Sequence, residues 1–96
     1  MPYQNRLLVL GRQPMLLTFQ NSEWLVAIKG RYAEPLEFGT NRFACQFETA
    51  INPLPALGRL SRSYPGLLFL LDYETDGLKG LARAKAGRLI HYQIRY

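Results

Sequence analysis

Residues 43–74 read FACQFETAINPLPALGRLSRSYPGLLFLLDYE, and this stretch decides the fold class. Phe43, Cys45 and Phe47 alternate with Gln46 and Glu48, as in a strand with one side buried. Cys45 then reads as a small core residue between two phenylalanines, because no cation is placed to lower its pKa and make it reactive. Asn52 suits a helix N-cap and Pro53 the first helical position. Leu54, Leu57, Leu60 and Tyr64 follow at helical spacing, with Arg59 and Arg62 on another face. Pro65-Gly66 ends that helix, Leu67 to Glu74 is an apolar strand, and Asp76-Gly77 supplies a turn.

Upstream, Arg6-Leu7-Leu8-Val9-Leu10 closed by Gly11 has the pattern of a buried strand. Pro14 and Gly30 delimit a helix over residues 14–29, while Asn21-Ser22 would equally turn a hairpin between Leu16–Phe19 and Leu25–Ile28. The helix is the expectation. Residues 31–41 read as loop, with Pro35 and Gly39 as breakers. Downstream, Gly80 to Ala86 and Arg88 to Arg95 read as two strands joined around Ala86-Gly87. The order predicts one α+β domain over residues 1–96. Its simplest form is a ferredoxin-like (split βαβ) antiparallel sheet with two helices on one face and a C-terminal β-hairpin.

Ninety-six residues, 48% hydrophobic and 20% charged, suit one folded domain rather than a disordered or fibrous chain. No apolar run approaches the roughly 20 residues of a membrane span, and the first ten residues lack a signal peptide's basic start and cleavage site. The single cysteine cannot make an internal disulfide, so the expected location is cytoplasmic. The net charge of +5 attracts anionic partners mildly. Nine of the twelve cations are arginine, which serves protein interfaces as readily as nucleic acid.

Several strings resemble the YubB-like ferredoxin-like domains of plasmids and phages, a family largely of unassigned function. Asn5-Arg6-Leu7-Leu8-Val9-Leu10-Gly11 is similar to that family's first strand, and Phe47-Glu48-Thr49-Ala50 with Pro53 and Pro55 to its strand-to-helix junction. Leu60-Ser61-Arg62-Ser63-Tyr64-Pro65 resembles its helix end, and Tyr73-Glu74-Thr75-Asp76-Gly77 with Gly80 its next strand and turn. The chain departs from the family at Ile51, where a tryptophan is usual, and in a shorter middle segment around Phe38-Gly39-Thr40. The resemblance implies a fold and a mobile-element setting. It implies no catalytic residue.

Enzyme signatures are mostly missing: His91 stands alone, and no phosphate loop, nucleophile elbow or zinc motif occurs. Asp72 and Glu74 should share a strand face and could hold Mg²⁺, but a competent site would want further ligands. With Gln46 and Glu48 they point to an acidic outer sheet face, which disfavours base stacking there. The expectation is therefore no catalysis, cofactor or metal.

The cations concentrate at Arg59 and Arg62 on the helix and at Arg83, Lys85, Arg88 and Arg95 on the hairpin. Ile90, Tyr92, Ile94 and Tyr96 form an alternating stripe between the hairpin charges, suited either to the core or to a partner surface of tyrosine and arginine. The predicted binding residues are Arg59, Arg62, Arg83, Lys85, Arg88, Tyr92 and Arg95. The expected function is a non-enzymatic protein-binding module of a mobile element, such as an inhibitor of a host factor or CRISPR defence complex. The alternative is nucleic-acid binding through the same helix and hairpin arginines. The closing strand, at a sheet edge, could also pair with a second copy.

Overall fold

The structure is a computed structural model that describes residues 2–95. Strand β1 (Tyr3–Leu10) leads into two short helices, α1 (Gln13–Gln20) and α2 (Trp24–Ala27). An antiparallel pair, β2 (Gly30–Phe38) and β3 (Arg42–Thr49), precedes helix α3 (Leu54–Ser63). The chain closes with a meander of β4 (Leu68–Thr75), β5 (Leu78–Lys85) and β6 (Arg88–Arg95). The six strands form one sheet in the order β2-β3-β1-β4-β5-β6, antiparallel throughout. This is an α+β architecture with the helices on one face of an open sheet.

Period-two patterning sorts the strands between that face and the other. Leu7 and Val9 of β1, Phe43, Cys45 and Phe47 of β3, and Phe69, Leu71 and Tyr73 of β4 are buried beneath the helices. Leu54, Leu57 and Leu60 close the core from α3 at the predicted helical spacing. The N-cap is Pro53 rather than the expected Asn52, and the first helical residue is Leu54; Asn52 stands one residue further out, its Oδ1 accepting the Leu54 N–H at 2.9 Å. Tyr64 stands just past its last turn, where its ring meets Phe19 edge-on.

Two elements differ from expectation. Residues 14–29 form two helices, broken at Asn21–Glu23, so the sheet carries three helices instead of two. The Asn21 N–H donates to the Leu17 carbonyl and the Ser22 N–H to the Phe19 carbonyl, and the break lets Trp24 fold back to stack on Phe19 at 5.5 Å. Of residues 31–41, expected as loop, 31–38 belong to the edge strand β2. Pro35 and two register shifts are tolerated because one side of an edge strand makes no ladder bonds.

The β5–β6 turn holds an alanine in the left-handed region that glycine favours. Ala86 and Gly87 both take positive φ (51° and 85°), the two-residue hairpin geometry that suits twisted strands. Ser61 of α3 fixes this turn, its hydroxyl accepting the Gly87 N–H at 2.9 Å while donating to the Gly58 carbonyl.

Gly80 is required by packing. It pairs with Tyr73 across β4–β5, and a Cβ there would lie 2.2 Å from the tyrosine ring. That ring is fully buried, faces Tyr3, and accepts a hydrogen bond at its hydroxyl from Gln93 Nε2, so it cannot swing aside. Gly80→Val is expected to destabilise the domain by about 1–3 kcal/mol in urea unfolding. Gly58 of α3 is the control, because a Cβ there meets nothing within 4 Å. Gly58→Ala is expected to stabilise by about 0.5–1 kcal/mol.

Candidate functional site

Register places side chains on the uncovered face in cross-strand rows. One row runs Ala44, Leu8, Leu70, Arg83, Ile90 across β3, β1, β4, β5 and β6. The next runs Gln46, Arg6, Asp72, Leu81, Tyr92, and a third runs Glu48, Gln4, Glu74, Lys79, Ile94. The apolar members converge on a trough of about 510 Å³, lined by Leu8, Leu70, Leu81, Ile90 and Tyr92, with Arg6, Asp72 and Arg83 also on its walls. Leu81 is 58% exposed and Tyr92 72% exposed, so large apolar surface lies open to water.

The expected acidic face is thus corrected. Glu48 and Asp72 do project from the uncovered side, but cations share that face with the acids and its middle is apolar. Glu48 meets Arg31 at 3.1 Å and accepts from Gln4 Nε2 at 3.0 Å, and Glu37 meets Arg42 at 3.0 Å. Asp72 stands opposite Arg6, and Glu74 opposite Lys79. The acids predicted from β3 and β4 are real, but β1, β2 and β5 bring a cation beside each. Asp72 and Glu74 share a face as their spacing requires, and among the described residues no group of three His, Cys, Asp or Glu gathers around a common point.

The predicted binding residues fall into three places. Arg83, Lys85, Arg88 and Tyr92 share the uncovered face, where the first three line an adjoining hollow of about 780 Å³ with Ala86, Leu89 and Ile90. None of these three cations has an acidic partner among the described residues. Arg95 lies on the other side of β6, opposite Leu78. Arg59 and Arg62 are exposed on α3 in the helical layer, although the Arg62 side chain runs close to Gly87, at the turn that carries Lys85 and Arg88. The hairpin stripe is surface rather than core, with Ile90, Tyr92 and Ile94 all exposed; Tyr96 lies outside the described residues. Leu8, Leu70 and Leu81 were missed as site residues. Nothing in their local patterning separates them from core leucines.

Cys45 is sealed beneath the helices. Burial pushes its thiol up from the usual value near 9.0, partly offset by a backbone hydrogen bond at Glu34. The fold thus favours the neutral thiol, a contribution complete at neutral pH and lost as the pH rises beyond the ordinary thiol range through the raised value. His91 sits on β6 opposite Ala82, exposed. No helix among the described residues is long and apolar enough to cross a membrane. Neither a family model, nor a curated protein, nor a solved structure matches the chain.

Proposed function

We propose that this chain is a non-enzymatic protein-binding module of a plasmid, phage or similar mobile element, acting in the cytoplasm on a host protein. The split βαβ, ferredoxin-like plan is part of the reading. It is supported by the strand order β2-β3-β1-β4, with helices joining β1 to β2 and β3 to β4, and with β5 and β6 added at one edge. The mobile-element setting rests on the resemblance to YubB-like domains, and a host defence complex such as a CRISPR effector is the target class that setting suggests.

One observation carries the binding reading. The uncovered face joins an apolar trough, bordered by Tyr92, to the unpaired cations Arg83, Lys85 and Arg88. Exposed apolar area ringed by polar groups is costly to leave open and suits a partner. Tyrosine and arginine are the side chains enriched where interfaces concentrate their energy. The unpaired cations favour a partner segment that is acidic, which also speeds encounter.

The test is affinity capture from host lysate with the wild-type chain as bait. The expected result is a discrete partner that is lost when Arg83, Arg88 and Tyr92 are all replaced by alanine and kept when Arg59 alone is replaced. The triple variant is expected to keep its thermal midpoint, because all three side chains are exposed. Recovery of chaperones and background alone on the wild-type bait would count against the reading. The second reading, nucleic-acid binding, is favoured by Arg62 lying close to the hairpin turn beside Lys85 and Arg88. It predicts gel retardation of DNA or RNA at low ionic strength that falls steeply with salt.

A further inference from the structure

We infer that two copies of this chain pair along β6 into one continuous antiparallel sheet, with the two-fold axis at Tyr92. The two edges of the sheet are unlike. At β2 the edge is blunted by Pro35, by two register shifts and by the left-handed backbone of Tyr32 (φ 55°). At β6 the register with β5 is unbroken from Leu78↔Arg95 to Lys85↔Arg88, no proline or bulge interrupts the strand, and its charges, Arg88 and Arg95, stand only at its two ends. Such an edge is a template for another strand.

The hairpin sets which backbone groups face outward. With a two-residue turn at Ala86-Gly87, Lys85 and Arg88 form the closing hydrogen-bonded pair. Antiparallel alternation then commits Arg88, Ile90, Tyr92 and Ile94 to β5, and points the N–H and C=O of Leu89, His91, Gln93 and Arg95 at the free edge.

Past Arg88, the open side of β6 reads the same in both directions: Ile90, Tyr92, Ile94. A dyad through Tyr92, perpendicular to the sheet, pairs Ile90 of one copy with Ile94 of the other and sets the two tyrosines side by side. The outward groups of His91 then meet those of Gln93, and those of Leu89 meet Arg95. No arginine faces an arginine. Moving the dyad to His91 would break the palindrome and set two imidazoles opposite each other. Ile90, Tyr92 and Ile94 are 56%, 72% and 68% exposed in the single chain, so pairing covers apolar surface that is otherwise wet. The contact is one strand wide, below the standard interface size, so the pairing is expected to be weak and concentration-dependent. Pairing of copies needs no host partner and stands or falls apart from the reading above.

The experiment combines solution mass with cysteine crosslinks in the full chain. Light scattering is expected to show a mass rising with concentration from 11.0 kDa to twice that value. Opposed residues at a non-hydrogen-bonded antiparallel pair lie about 4.5 Å apart at Cα, within disulfide range. Tyr92→Cys is therefore expected to give a disulfide-linked dimer on mild oxidation. Ile90→Cys and Ile94→Cys should each stay uncrosslinked alone but crosslink when mixed, a readout that holds even if losing the tyrosine weakens the pair. Native Cys45 is buried and does not compete. A mass that stays at 11.0 kDa across the range, or a mixture of the Ile90→Cys and Ile94→Cys chains that crosslinks no more than each alone, would overturn the inference.

Discussion

Truncating Phe19 to alanine is expected to remove about 3–5 kcal/mol of stability, the usual cost of emptying a fully buried aromatic site. A domain of this length commands only about 5–14 kcal/mol in total. The thermal midpoint should fall by about 15–30 °C. The size of the effect comes from where the ring sits. Phe19 lies in the last turn of α1 and stacks on Trp24 at 5.5 Å. It meets Tyr64 and Phe69 edge-on at 5.2 and 5.3 Å, and Phe43 at 6.5 Å. One side chain therefore ties α1 to α2, to the end of α3 and to both β3 and β4.

Trp24 is the sole tryptophan and lies against the emptied site, so its fluorescence reports the unfolding directly. Phe38→Ala is the control. That ring is 65% exposed and its loss should cost less than about 1 kcal/mol. Similar midpoints for the two variants would mean that the helical segments do not close over the sheet as described.

The parts of the fold legible in the sequence are those where one periodicity acts alone. Phe43, Cys45 and Phe47 alternate without interruption, and Leu54, Leu57 and Leu60 keep helical spacing behind Asn52 and Pro53. The strand β2 could not be read in this way. Its side chains are almost all exposed, so no burial pattern marks it, and Pro35 argues against a strand unless the strand is known to be an edge. Asn21-Ser22 did signal a break. Whether it separates two helices or two strands depends on Phe19 meeting Trp24, a contact between side chains that periodicity does not register.

The candidate site was half legible, for a similar reason. Arg83, Lys85, Arg88 and Tyr92 stand out on one strand pair and do share a face. The trough beside them is assembled from Leu8, Leu70, Leu81 and Ile90, one residue from each of four strands, and exists only once the strand order is fixed. The same order sets Arg59 and Arg62 in the opposite layer, a separation that chain position hides.

All of this depends on the helices covering one side of the sheet and leaving the other wet. Leu71 and Leu81 test it most directly, because Leu81 is the neighbour across β4–β5 of Asp72, the residue after Leu71, yet the two leucines face opposite ways. Leu71 is 2% exposed beneath the helices, and a lysine there would bury an unpaired ammonium at a cost of about 4 kcal/mol or more. A lysine at position 81 would reach water and stand beside Asp72, changing stability by less than about 1 kcal/mol. Thermal melts of Leu71→Lys and Leu81→Lys should therefore diverge, the first chain unfolded or nearly so and the second within a few degrees of wild type. Equal losses in both would mean that the trough is interior, and that this face is not free to receive a partner.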